Sequence, residues 1–136
     1  MLFPTEEHEV VVLRSAEPWY LTSRLPDMNS EVFDSLLHAL GLELHPICRT
    51  FFHDATIFID SVSADQKDLD FARAAEIAHR HHGAALSLGF NEVAQGFASL
   101  ENSYRCHQLA EEQAIPRLRL LLEQLSIEVE DRFKTG

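Results

Sequence analysis

From Asn29 onward, apolar residues recur at spacings of three and four, and nowhere do they alternate singly with polar ones. That period fits the turn of an α-helix and conflicts with the two-residue repeat of a strand, so it confines the chain to helical folds. "NSEVFDSLLHALG" opens on a polar cap at Asn29 or Ser30 and carries Val32, Phe33, Leu36, Leu37 and Leu40. Gly41 then closes it as a C-terminal cap would. A second helix is predicted from about Pro46, a residue suited to a first turn. Its stripe runs Ile47, Phe51, Phe52, Ala55, Phe58, Ile59 and Val62. After the break "SADQKD", Asp68 or Asp70 caps a third helix that runs to about Leu88 and ends at Gly89. Asn91 is read as the cap of a fourth, carrying Val93, Phe97, Leu100 and Tyr104. A fifth follows "HQLAEEQ", with Pro116 near its start and Leu118, Leu121, Leu122, Leu125, Val129 and Phe133 along one side. The expected fold is all-α: an antiparallel four-helix bundle, residues 29–136, with an additional short N-terminal helix.

Residues 1–28 read differently, as an extension partly ordered, packed on the bundle or ordered by a partner. "EVVVLRS" suits a short strand, and "PWYLTSRLPD" carries turn signals around Trp19 and Tyr20. The opening "MLFPTEEHEVVVLR" is acidic and its apolar run is short, so it does not fit a signal peptide. No segment approaches the ~18 apolar residues of a membrane span, and the expected location is cytoplasmic. Twenty-two acidic against 11 basic residues leave a formal charge of −11, which argues against nucleic acid and anionic lipid as partners. Cys48 and Cys106 lack metal or redox spacing and are expected as reduced thiols in the core. Nothing forces pairing of chains, and a monomer is expected.

The third helix contains "AHRHHGAALSLGF", with three histidines in four positions. Projected at ~100° per residue, Ala74, Ala78, Ala85 and Leu88 gather on a core face, with Phe71 and Ile77 at its edges. His81 falls in the middle of that face and is expected as a buried, hydrogen-bonded structural residue. His79 points the opposite way. Its own face holds Ala72, Ala75 and Gly83, a strip nearly cleared of side chains. A glycine inside a helix costs ~1 kcal/mol relative to alanine, and access to His79 is a physical reason for accepting that at Gly83. Gly89 stands where the helix ends, and a left-handed cap explains it. His82, on the flank, is either a surface residue or a helper to His79. His8, His38, His45, His53 and His107 show no pattern.

"AHRHHGAALSLGF" followed by "VAQGFASLE" resembles the signature of histidine-containing phosphotransfer (HPt) domains. Ala78, His79, Gly83, Gly89, Leu100 and Glu101 fall in that family's places. "CRTFFHDATIFIDSVSA" and "DLDFARAAEIAH" also resemble its phenylalanine-rich second helix and the active helix that follows, so the similarity covers about residues 29–133. Two positions depart from the pattern. The family's leucine is His81 here, and its lysine is His82. A lysine is a fixed cation beside a phosphoryl oxygen, whereas an imidazole, with an ordinary pKa of ~6.5, offers one hydrogen bond and a dependence on pH.

The resemblance implies a carrier rather than an enzyme. His79 would be the phosphoacceptor, His82 a phosphoryl hydrogen-bond partner and Gly83 the source of steric access. Ala75, Leu86 and Phe90 would contact the partner. Implied partners are receiver domains of sensor kinases and response regulators, whose own Mg²⁺ neutralises the moving charge. No cofactor bound by this chain is implied, and the sequence has no glycine-rich phosphate cradle. Two other readings stand beside this one. An HPt-like module could bind or inhibit a partner without transfer. A metal-binding bundle would use His79, His81 and His82, with "EIAH" as one Glu-x-x-His pair from Glu76 to His79. A second such pair is missing and His79 faces outward, so no metal is expected.

Overall fold

A computed structural model describes residues 28–64 and 66–135. The expectations for residues 1–27, the short strand and the turns around Trp19 and Tyr20, lie outside the described residues. Five α-helices follow in order: α1 (Ser30–Leu40), α2 (Leu44–Ala64), α3 (Phe71–Leu88), α4 (Asn91–Arg105) and α5 (Ala114–Thr135). A single 3₁₀ turn, Gly41–Glu43, links α1 to α2. No strand occurs among the described residues, and none of their helices is long and apolar enough to cross a membrane.

The starts and stops mostly follow local chemistry. Asn29 caps α1 by accepting from the Val32 amide, and Asp70 caps α3 by accepting from the Arg73 amide. Gly41 ends α1 at φ +61, and Gly89 ends α3 at φ +85, in the left-handed region. Helix α4 departs from expectation at its start and ends where expected, after Tyr104. Its N-cap is Phe90 rather than Asn91, with no side-chain cap, because Gly89 and Phe90 alone make the turn from α3. Its last turn gives way to His107 at φ +56, a left-handed position held by a non-glycine residue.

The helices α2, α3, α4 and α5 each pack on their sequence neighbours, and α5 closes the ring on α2. His45 meets Glu130 and, further along α2, Asp60 meets Arg119, so α2 and α5 run antiparallel. Helix α1 packs on α2 and α3. The Asn29 amide donates to the Gly89 carbonyl at 2.7 Å, and Phe33 packs on Phe90 and on Phe133. The core is the predicted stripes: Phe51, Phe52, Phe58 and Ile59 of α2 against Phe97 and Leu100 of α4 and Leu118, Leu121, Leu122, Leu125 and Val129 of α5. Ile47, expected in the α2 stripe, is 44% exposed instead. Cys48 is buried as expected, and its thiol is pushed up to about 11 by burial and then by nearby Glu130. Cys106 is exposed, not a core thiol, because α4 ends one residue before it.

Candidate functional site

Helices α3 and α4 share the most extensive contact in the bundle. The buried residues of α3 are all alanine but for Leu88, and α4 adds Ala94 and Gly96 among its larger core residues. Short side chains let two helix backbones approach closely, which brings residues at the rims of the seam within reach of one another. At one rim stand His79 from α3 and Glu101 from α4.

His79 is 64% exposed at its side chain, as the helical projection predicts. Its Nδ1 lies 3.1 Å from both carboxylate oxygens of Glu101. Glu101 is only 14% exposed and is held in turn by Arg105, one turn along α4, at 2.7 Å. Partial burial pushes the Glu101 carboxyl up, but hydrogen bonds from Arg105 and His79 outweigh it and leave it below the ordinary carboxylate value. An ionised carboxylate only accepts, so the His79 proton resides on Nδ1. In the neutral ring the lone pair is then on Nε2, the outer nitrogen. The Leu-Glu pair marks Glu101 in the sequence, but nothing there signals its bond to His79; Arg105 carries no signal beyond its i,i+4 spacing from Glu101.

His82, one turn along α3, is half-buried with its ring 6.3 Å from that of His79. Gly83 is exposed, and a Cβ built there would meet no atom within 4 Å. The fold therefore makes no steric demand for glycine at this position, which is what a reason outside the chain requires. Leu86 is 48% exposed, as a contact residue must be.

Two expected contact residues are not available to a partner. Ala75 is 1% exposed because α4 closes over its short side chain, leaving it in the floor of an open cleft alongside Ala72, Glu76 and Arg105. Phe90 is fully buried, because the turn at Gly89 directs its ring inward against Phe33, Phe51 and Phe52. Ala75 and Phe90 thus build the seam and the end of α3 rather than a contact surface. His81 behaves largely as expected, although it is half-buried rather than enclosed. Its Nδ1 donates to the Ile77 carbonyl at 2.9 Å, and its ring stacks on Phe58 and Phe97 at 5.6 and 5.1 Å. An imidazole replaces leucine there by satisfying its polar edge on the preceding helical turn.

No curated protein and no solved structure matches the chain. The sequence profile of the Hpt domain matches residues 24–128. Domains of this family are phosphocarriers rather than enzymes, serving histidine phosphotransfer in phosphorelays and interacting with receiver domains. That match spans most of the bundle, including the helix that presents His79 and the neighbour that anchors it, and the chain belongs to the Hpt domain family.

Proposed function

We propose that His79 is the phosphoacceptor, taking a phosphoryl group from the phospho-aspartate of one receiver domain and passing it to the aspartate of another. The unit that does so is the bundle of residues 29–136. The observation that carries this reading is the Glu101 contact to His79 Nδ1, which leaves Nε2 as the outward nucleophile.

The transfer balances simply. The Nε2 lone pair attacks phosphorus, the N–P bond forms as the bond to the aspartyl oxygen breaks, and the aspartate departs as a carboxylate. The ring becomes positive, with its proton still on Nδ1 against Glu101, so the carboxylate stabilises charge as it develops. Glu101 is a positioning residue, and Arg105 holds it in place. The return step reverses each bond change. Mg²⁺ belongs to the receiver, where it neutralises phosphoryl oxygens, and in-line geometry comes from docking. His82 donates a hydrogen bond to a phosphoryl oxygen, the role the family gives to lysine. Gly83 keeps the approach open, and Leu86 supplies apolar contact beside it. With a formal charge of −11, the chain is best matched to an acidic receiver site through apolar contact at the centre.

Incubation of the protein with phosphoramidate, read by ³¹P NMR and intact mass, tests the assignment. An acid-labile phosphoryl group on the wild type and none on His79→Gln is expected. Label on both would move the acceptor to another histidine. No label on a folded wild type would favour a binding module without transfer. Glu101→Gln should slow labelling by a factor of up to about five, since one ion pair at an exposed site is worth roughly 0.2–1 kcal/mol.

A further inference from the structure

We propose that His79, His82 and Glu101 form a binding site for a divalent transition-metal ion of the zinc class, and that ion and phosphoryl group exclude one another at His79. One ligand atom from each of the three lies within 4.8 Å of the other two. Two imidazoles and a carboxylate are a donor set that zinc takes readily, leaving a fourth position for water. Bonds of about 2.0–2.1 Å in a tetrahedron put ligand atoms roughly 3.4 Å apart, a spacing that His79 Nδ1 and Glu101 already meet at 3.1 Å.

The set is built on rigid elements. His79 and His82 are three apart on one face of α3, and Glu101 stands opposite on α4. Arg105 fixes the carboxylate from behind, as groups beyond the ligands do in metal sites generally. Gly83 leaves open space beside the cluster. The residue at position 82 is decisive. The family's lysine, as an ammonium, has no lone pair to give a metal; the imidazole of His82 removes a cation and adds a ligand in one substitution. The expectation of no metal rested on the missing second Glu-x-x-His pair and on the outward direction of His79; a rim site between two helices needs neither a second pair nor an inward face. Glu76 of "EIAH" is not in the cluster, and the carboxylate comes from the neighbouring helix. His81 is not in it either, being committed to the Ile77 carbonyl.

Exclusion follows from the single lone pair of a neutral imidazole. An ion on Nδ1 displaces the proton there, the ring keeps its one proton on Nε2, and Nε2 cannot attack. An ion on Nε2 occupies the nucleophile directly. This half rests on His79 being the phosphoacceptor; the binding half does not.

The test titrates the metal-free protein with Co²⁺, read by visible absorption and calorimetry, with Zn²⁺ as competitor. One equivalent should bind to the wild type. His82→Gln and Glu101→Gln, each checked for unchanged helical content, should weaken binding at least by the roughly 10- to 100-fold that loss of a supporting group costs. Wild-type affinity in both variants, or no Co²⁺ binding to the wild type, overturns the site. In the second arm, one equivalent of Zn²⁺ should suppress phosphoramidate labelling of the wild type and EDTA should restore it, while labelling of His82→Gln, whatever its rate, ignores Zn²⁺. Full labelling with Zn²⁺ bound overturns the exclusion. No labelling in EDTA overturns the phosphoacceptor reading instead, and the Co²⁺ titration still judges the site.

Discussion

At the seam of α3 and α4, Glu101 binds both His79 and Arg105; at the seam of α2 and α5, Glu130 binds both His45 and Arg49. The residue types are identical and both carboxylates lie below their ordinary range. The clusters differ in what surrounds the imidazole. His45 is 28% exposed and lies flat on Phe133 at 4.5 Å. It meets Glu130 through Nε2, its outer nitrogen, at 2.9 Å. His79 meets Glu101 through Nδ1, is 64% exposed, and has Gly83 one turn on. Both clusters tie two helices together, and under the proposed function the one at His79 also leaves a nucleophile over. A histidine beside a carboxylate is therefore not a sufficient mark of a phosphoacceptor. The two clusters differ in which ring nitrogen meets the carboxylate and in how exposed the imidazole is.

The largest test of this contrast removes each histidine in turn. His79→Gln should abolish phosphoramidate labelling, while His45→Gln should leave it in place and lower stability by about 1 kcal/mol or less, the scale of a surface ion pair. Labelling lost in both, with both folded, would mean the two clusters act together. Labelling abolished only in His45→Gln would invert the assignment.

The next test separates open from packed glycines around α3. Gly89 holds φ +85, and an added Cβ would lie 3.1 Å from the Asn29 carbonyl oxygen and from the Val32 Cβ. Gly89→Ala should cost about 1–2 kcal/mol from left-handed strain alone, read as a lower melting temperature. Gly83→Ala should do the opposite, stabilising by up to about 1 kcal/mol, since it restores helix propensity and meets nothing. The same substitution should slow transfer from a receiver domain. A stabilised Gly83→Ala that accepts phosphoryl from a receiver as fast as the wild type would remove access as the reason for that glycine.

The contrast between the two clusters also marks what a sequence can carry. Periodicity placed the helices and most of the core because burial imposes one repeat on each helix. The outward direction of His79 and the inward direction of His81 follow from the same projection. The errors arise where direction depends on a neighbour in space. Ala75 lies on the His79 side of α3 and is buried only because α4 approaches so closely. Phe90 is turned inward by the backbone at Gly89 rather than by any period. Glu101 and His79 are 22 residues apart, and Glu130 and His45 are 85 apart, so neither pair has a local signature. His45 showed no pattern for that reason, although it proves to be part of a tie.

The smallest effect is the most specific. Arg49 first, and then His45, hold the Glu130 carboxyl down to about 2, against 4.5 for the free group. A carboxyl lowered in the folded state stabilises the fold above its unfolded value and loses that contribution as pH falls toward its folded value. The melting temperature of the wild type should thus exceed that of Glu130→Gln by a constant margin above pH 5, and the margin should shrink between pH 4.5 and about 2. Because the pair is solvent-screened, the margin itself is small. Glu101→Gln, scanned alongside, should converge with the wild type over less of that window. Burial is the largest influence on Glu101 and opposes its hydrogen bonds, whereas at Glu130 it ranks behind both of them. Equal convergence for the two variants would mean that the carboxylate at the α3–α4 seam is as freely solvated as the one at the α2–α5 seam. Glu101 would then have no partly buried position from which to fix His79 Nδ1, and the distinction between the clusters would rest on the imidazoles alone.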